Sequence, residues 1–143
     1  MRSALHALLF ALIGALALMA CSGTQGTVPL GATCDQFQAT SSIEQSTSMA
    51  VGSEVKIVLC ANPSTGFSWE EPQIGDATVL RLVDQSYQAP DGASLPIVGA
   101  AGGQVLTVRA LAAGTTTLST RYSQPWAGGT KGAWTYTLSV TVP

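Results

Sequence analysis

The chain has 143 residues, of which 46% are hydrophobic and only 10% are charged, and its formal net charge is −2. This length is enough for a single domain with a hydrophobic core. Only six residues are basic, against eight acidic ones. The composition therefore argues against a nucleic-acid-binding protein, because phosphate recognition requires clustered lysines and arginines.

Residues 1–20 have the pattern of an export signal. Arg2 precedes an apolar run that ends at Ala20, and the run is short for a bilayer-spanning helix, which needs ~20 apolar residues. Leu18-Met19-Ala20-Cys21 resembles the bacterial lipobox, which implies that Cys21 is acylated and becomes the first residue of the mature chain. Cleavage that leaves Cys21 as a free thiol is the alternative. We expect an exported protein that meets the membrane only through this lipid, at the cell envelope and on the outer membrane if the cell has one.

Removal of the leader leaves 123 residues with a net charge of −3 and no histidine, because His6 and Arg2 both lie in the leader. Without histidine, Ser-His-Asp sites, Cys-His sites and imidazole-based zinc sites cannot form. The adjacent Glu70 and Glu71 point to opposite faces if they lie on a strand, which favours a solvated surface over an acid–base pair. We therefore expect no enzymatic activity, no catalytic residue, no cofactor and no metal.

Two cysteines remain for the exported chain. With Cys21 assigned to lipid, Cys34 and Cys60 are expected to form a disulfide in an oxidising compartment, and two separate buried thiols are the alternative. Residues 21–33 have the Gly/Ser/Thr/Pro composition of a flexible tether. The folded domain is accordingly predicted to span residues 34–143.

From residue 34 onward the dominant pattern has period two. The segments EVKIVLC (54–60) and WTYTLSVTV (134–142) alternate apolar and polar residues, as half-buried strands do. Five further strands are predicted at 47–51, 67–71, 78–87, 104–110 and 115–122, and no helix is predicted. Short strands with regularly spaced turns predict an all-β, Ig-like β-sandwich.

Three connections are longer than minimal turns: loop 1 (61–67), loop 2 (90–103) and loop 3 (123–133). Two predicted strands separate each loop from the next. If every strand crosses the domain once, the three loops lie together at one end, and the short connections 75–77 and 112–114 lie at the other. Loops that cluster on a rigid sandwich commonly carry the binding residues.

Each of these loops contains a short motif. Loop 1 reads Asn62-Pro63-Ser64-Thr65-Gly66-Phe67, loop 2 reads Gly99-Ala100-Ala101-Gly102 with Gly103 following, and loop 3 reads Gln124-Pro125-Trp126. Any one of them is typical of a simple turn. In this order on an all-β chain they resemble the chagasin family (I42) of papain-like cysteine peptidase inhibitors, whose motifs are N-P-T-T-G-(Y/F), G-x-x-G and R-P-W.

The resemblance implies a monomeric, reversible inhibitor whose three loops fill the active-site cleft of a papain-like cysteine peptidase. Thr65 and Gly66 would lie across the catalytic cysteine, and Trp126 is the expected main anchor, since Trp is enriched at energetically dominant contacts. Gln124 replaces the family arginine, which removes a charge-assisted contact. An Ig-like adhesion or assembly module of the cell envelope is the alternative function.

The residues around the loops are expected to support them. Pro63 and Gly66 stiffen loop 1, and a Cys34–Cys60 disulfide would brace it from below. Phe67 is predicted to pack at the loop base. Trp69 and Trp134 are assigned to the sandwich interior.

Overall fold

A computed structural model describes residues 29–90 and 99–143. The predicted export signal, Cys21 and most of the predicted tether lie outside the described residues. Within the described ranges, no helix has the length and apolar character needed to cross a bilayer. The elements in chain order are β1 (Gly31–Ala32), α1 (Cys34–Ala39), β2 (Ser42–Ser48), β3 (Glu54–Ala61), β4 (Ser68–Trp69), β5 (Gln73–Ile74), β6 (Leu80–Gln88), β7 (Gly102–Ala110), β8 (Gly114–Ser123) and β9 (Trp134–Val142).

The strands form two sheets. One sheet has the order β1-β3-β7-β6, and the other has the order β2-β9-β8-β4, with β5 also paired to β8. All pairings are antiparallel except β1 with β3 and β2 with β9, which are parallel. The predicted all-β, Ig-like sandwich is confirmed.

The core lies between the two sheets and is built from the inward-facing residues of the alternating strands. β3 and β7 contribute Ile57, Leu59, Leu106 and Val108, and the other sheet contributes Leu118, Tyr136, Leu138 and Val140, all of them fully buried. Full burial of one such aliphatic side chain is worth about 1.5–3 kcal/mol. The period-two pattern of the sequence therefore identified the inward faces of β3 and β9 correctly.

Some strand boundaries differ from the predicted ones. β2 spans Ser42–Ser48 rather than 47–51, since the chain turns at Gly52, whose φ is +81°. The predicted strand 67–71 is reduced to β4, and β5 was not predicted. Pro72 lies between these two short strands and has no N–H to donate to β8, which explains the interruption.

The short helix α1 contradicts the expectation that the domain contains no helix. It begins with a capping box, in which the Thr33 hydroxyl accepts from the Gln36 N–H and the Gln36 side chain accepts from the Thr33 N–H. Its one buried residue, Phe37, packs on the core.

The disulfide between Cys34 and Cys60 is confirmed and ties α1 to the end of β3. The folded domain also includes residues before position 34. Gly31 and Ala32 pair with Val58 and Leu59 of β3, so the end of the predicted tether is a strand.

Candidate functional site

Loop 1 is held in one conformation by its own hydrogen bonds. Pro63–Thr65 form one turn of 3-10 helix, and the Asn62 side chain caps it by accepting from the Ser64 N–H (3.2 Å) and hydroxyl (2.6 Å). The Thr65 hydroxyl donates to the Asn62 carbonyl (2.7 Å). Gly66 ends the turn at φ +79°, a left-handed conformation that favours glycine. The tip is therefore preorganised before any partner binds, which lowers the entropic cost of binding.

The base of loop 1 rests on buried aromatic groups. The Tyr122 hydroxyl accepts from the Asn62 N–H (2.8 Å), and the Phe67 ring stacks on the Tyr122 ring with centroids 5.4 Å apart. The Trp69 indole N–H donates to the Cys60 carbonyl at 2.9 Å, directly below the loop. Phe67 thus lies where the sequence predicted it, at the loop base.

These contacts continue into an aromatic column that reaches α1. Tyr122 stacks on Trp134 (4.8 Å), and Trp134 stacks on Phe37 of α1 (5.0 Å). Trp69 is buried beside the column and Trp134 is half-buried within it. Because the Cys34–Cys60 disulfide joins the same helix to the strand that enters loop 1, the loop is supported from two directions.

Loop 1 contacts loop 2 directly. The Asn62 side-chain amide donates to the Gly99 carbonyl at 3.0 Å, and Gly99 has a φ of +87°. Gly102 and Gly103 lie in β7 rather than in loop 2, opposite Ala61 and Cys60 of β3. A side chain at Gly102 would collide with Tyr87 and the Gln88 backbone. The part of the predicted G-x-x-G motif that lies outside the strand is therefore 99–101.

Loop 1 also contacts loop 3. A methyl group added at Gly66 would lie 2.6 Å from Cη2 of Trp126, so the indole ring covers the glycine at van der Waals distance. The other side of the indole is bordered by Gly129. Even so, Trp126 is 49% exposed, which is unusual for so large an apolar side chain. Loop 1, the described part of loop 2 (99–101) and loop 3 consequently form one continuous surface, called the ridge below, at the end of the domain that the strand count predicted.

Hydrogen bonds across its neck give loop 3 a fixed shape. The Gln124 N–H donates to the Thr130 carbonyl (2.8 Å), and the Thr130 N–H donates to the Gln124 side-chain oxygen (3.0 Å). The Lys131 ammonium donates to the carbonyls of Gln124 and Trp126. Gln124 therefore has a structural role within the loop that arginine, which has no acceptor, could not fill.

Two charged groups beside loop 3, Arg121 and Glu70, are paired with each other. The Arg121 guanidinium lies 3.0 Å from the Glu70 carboxylate, so Arg121 does not stand in for the missing family arginine. A hydrogen bond from the Ser123 hydroxyl, together with Arg121, holds the pKa of Glu70 below its usual range. The expectation of a purely solvated Glu70 thus missed these partners, whereas Glu71 is exposed.

The sequence did not reveal several of the supporting residues. Trp134 was assigned to the sandwich interior, but its place in the column was not predicted, and no role was predicted for Tyr122 or Lys131. Their roles depend on which strands pair and in which register, which a single sequence does not specify. The spacing from Thr33 to Gln36 is the one local signal that could have revealed α1.

Comparison with known families identifies the domain. Residues 48–140 match the model of the Chagasin family peptidase inhibitor I42. The chain belongs to this family. A chagasin-family domain is a peptidase inhibitor rather than an enzyme, and the matched range contains all three loops.

The chain also resembles individual proteins. It is 36% identical to chagasin from Trypanosoma cruzi over 87 residues, which cover 56% of this chain and 73% of that protein. Its fold is similar to the cysteine protease inhibitor EhICP2 from Entamoeba histolytica, with a TM-score of 0.61 and 24% identity over 80% of this chain and 95% of that one. It is also similar to PbICP-C, solved in complex with falcipain-2, with a TM-score of 0.56 and 16% identity over 71% of this chain and 89% of that one.

Proposed function

We propose that this protein is a reversible inhibitor of papain-like cysteine peptidases, and that the ridge formed by its three loops fills the active-site cleft. The observation that carries this proposal is the central position of loop 1. Asn62 donates to loop 2, and Gly66 is covered by Trp126 of loop 3. The three loops thus present one continuous surface, which is what filling a cleft requires.

The ridge blocks the cleft without reacting. Thr65 is exposed at the tip, and the backbone of Thr65 and Gly66 passes across the catalytic thiol of the peptidase. Nucleophilic attack requires a carbonyl held in a productive geometry. The rigid 3-10 turn engages the carbonyls of Asn62 and Pro63 in hydrogen bonds within loop 1, and it offers the catalytic thiol no scissile bond held in that geometry.

Loops 2 and 3 supply the flanking contacts. Trp126 offers an exposed indole at one side of the tip, and the backbone around Gly99 lies at the other side. A buried indole is the kind of contact that dominates binding energy at interfaces. PbICP-C, whose fold is similar, was solved in complex with falcipain-2, which supports a peptidase as the partner. The chain acts as a monomer, with one ridge in one cleft.

An inhibition assay tests the proposal. The full chain, kept in mild detergent, is titrated against a panel of papain-like peptidases, and competitive, reversible inhibition at sub-micromolar concentration is expected from ordinary interface affinities. The absence of inhibition of every panel member at tens of micromolar would refute the proposal.

Two variants show whether the ridge is responsible. Trp126→Ala is expected to weaken inhibition by about 30-fold or more, because loss of a dominant aromatic contact costs about 2 kcal/mol. Val51→Ala is the control, since Val51 is also an exposed apolar side chain (56%) but lies in the turn before β3, at the other end of that strand from loop 1. Equal effects of the two substitutions would contradict binding through the ridge.

We further propose that the chain is exported and anchored to the cell envelope by lipid at Cys21. The support is the leader pattern of residues 1–20 and the lipobox-like segment that ends at Cys21. Metabolic labelling with a palmitate analogue is expected to mark the wild-type chain, and Cys21→Ser is expected to abolish the label. A label that persists in Cys21→Ser would contradict lipidation at this position.

A further inference from the structure

We propose that Glu70 is a positioning residue for loop 3, and that its carboxylate orients the Ser123 hydroxyl so that this hydroxyl binds the Gly132 N–H. The inference rests on the proposed function for its effect on inhibition, but the contacts themselves are independent of any peptidase. Glu70 follows β4 and therefore lies just beyond loop 1 in the chain. Its carboxylate thus connects the segment after loop 1 to Ser123 and, through Ser123, to Gly132 at the other end of loop 3.

Ser123 is the centre of this arrangement. It is 2% exposed, its hydroxyl donates to a Glu70 carboxylate oxygen at 2.6 Å, and the same hydroxyl oxygen accepts from the Gly132 N–H at 2.8 Å. A serine hydroxyl has one proton and two lone pairs. When the hydroxyl donates its proton in a hydrogen bond to the carboxylate, its lone pairs are left facing the Gly132 N–H. This hydrogen bond joins Ser123 and Gly132, which lie at opposite ends of loop 3.

The backbone fixes Glu70 in the position that this role requires. Its N–H donates to the Arg121 carbonyl (2.8 Å), and its carbonyl accepts from the Thr120 hydroxyl (2.7 Å). The Arg121 guanidinium holds the second carboxylate oxygen at 3.0 Å. Both oxygens of the carboxylate therefore have partners on the segment that leads into loop 3.

The charged groups around Glu70 favour its ionised form. Arg121 lies on β8, Lys131 lies on loop 3, and the neighbouring carboxylate of Glu71 is exposed. The Ser123 hydrogen bond, followed by the two cations, lowers the pKa of Glu70 against the opposing effect of its partial desolvation. Glu70 is therefore ionised at every pH above the usual glutamate range.

This arrangement acts on the ridge through Trp126. Gly132 is the neighbour of Lys131, whose ammonium donates to the Trp126 carbonyl. The Ser123–Gly132 hydrogen bond therefore also fixes the backbone at Lys131. The Gln124–Thr130 pair closes the loop a second time, nearer the tip. Glu70 itself does not need to contact the peptidase.

Nuclear magnetic resonance of the full chain in mild detergent tests the inference without a peptidase. The Gly132 amide signal is expected to titrate with the Glu70 carboxyl, at a midpoint below the usual glutamate range. In Glu70→Gln this titration is expected to disappear. In Glu70→Ala the Gly132 amide is expected to exchange with solvent at least about tenfold faster, while amides of the central strand β9 keep their protection.

An inhibition assay then measures the consequence for binding. Glu70→Ala is expected to weaken inhibition by about five- to tenfold, and Glu70→Gln by less, because an amide oxygen still accepts from Ser123. Glu71→Ala is the matched control and is expected to stay within twofold of wild type in both experiments.

The outcomes separate the two proposals. A Gly132 amide that neither titrates with Glu70 nor loses protection in Glu70→Ala overturns the inference, whatever the inhibition assay gives. A wild-type chain that inhibits no papain-like peptidase overturns the proposed function, and the amide experiment still decides the role of Glu70.

Discussion

The indole of Trp126 covers Gly66 so closely that a single added methyl group would lie 2.6 Å from the ring. Two residues that are 60 positions apart in the chain thus share one surface at the centre of the ridge. Glycine is required at this position for two separate reasons. The left-handed φ of +79° disfavours any side chain, and the space that a Cβ needs is already filled by the ring.

Gly66→Ala is therefore expected to displace Trp126 and to weaken inhibition by at least about tenfold. The backbone conformation alone should cost about 1–2 kcal/mol of stability. Gly52→Ala is the matched control, because Gly52 has a φ of +81° and a methyl group added there would meet no atom within 4 Å. Denaturant unfolding should show similar destabilisation of both variants. Only Gly66→Ala should lose inhibition and change the fluorescence of Trp126, and parallel losses would contradict this explanation.

The disulfide is expected to stabilise the domain and loop 1 together. Cys34 and Cys60 are 26 residues apart, and closing a loop of that length contributes about 3–4 kcal/mol in the chain-entropy model. The Cys34→Ala/Cys60→Ala double variant should unfold at correspondingly lower denaturant concentration. Because α1 then loses its link to the end of β3, we also expect inhibition to weaken by several-fold at temperatures where the variant is still folded.

Reduction provides the control for that experiment. Wild-type protein in strong reductant should unfold at the same denaturant concentration as the double variant, and reductant should not affect the variant itself. Unchanged inhibition by the reduced, folded protein would show that the disulfide stabilises the domain without bracing loop 1.

The elements that the sequence predicted well are those whose pattern is long and regular. β9 was predicted with its observed bounds, because nine residues alternate without interruption. The meeting of the three loops at one end was also predicted correctly, although three strands rather than two lie between loops 1 and 2. The prediction still holds because β4 and β5 both pair with β8 and together cross the domain only once. The chain therefore crosses the domain twice between loops 1 and 2, as predicted.

The parts that the sequence did not reveal depend on short elements or on register. α1 has only six residues, too few for a helical period to be recognised. The Asn62–Gly99 hydrogen bond requires Ala61 to lie opposite Gly102, and that register is a property of the β3–β7 pair rather than of either segment. The same is true of Glu70 and Ser123, which β4 and β8 bring together.

Gln124 is expected to contribute to inhibition through the shape of loop 3. Gln124→Ala removes the acceptor for the Thr130 N–H, and one such hydrogen bond is worth about 1 kcal/mol, or about fivefold in affinity. Gln124→Arg restores the family residue but also lacks this acceptor. Inhibition constants and Thr130 amide exchange are to be measured for both variants. Unchanged amide exchange in Gln124→Ala would exclude the structural role.

Stability at high pH is expected to depend on Tyr136. Burial raises the pKa of this phenol to about 12, whereas tyrosine in an unfolded chain titrates near 10. The unfolded state therefore releases its proton first as the pH rises. The stabilisation is complete below about pH 10 and declines as the pH rises toward 12.

Tyr136→Phe should remove most of this decline. The phenol donates to the Gln45 side-chain oxygen, which also accepts from the Gly31 N–H, so the substitution should cost about 1 kcal/mol at neutral pH without leaving that oxygen unpaired. Tyr87→Phe is the control, since Tyr87 is 44% exposed. Urea unfolding between pH 8 and 11 should show the same alkaline loss in wild type and Tyr87→Phe and a smaller loss in Tyr136→Phe. Three identical profiles would mean that another group determines alkaline stability.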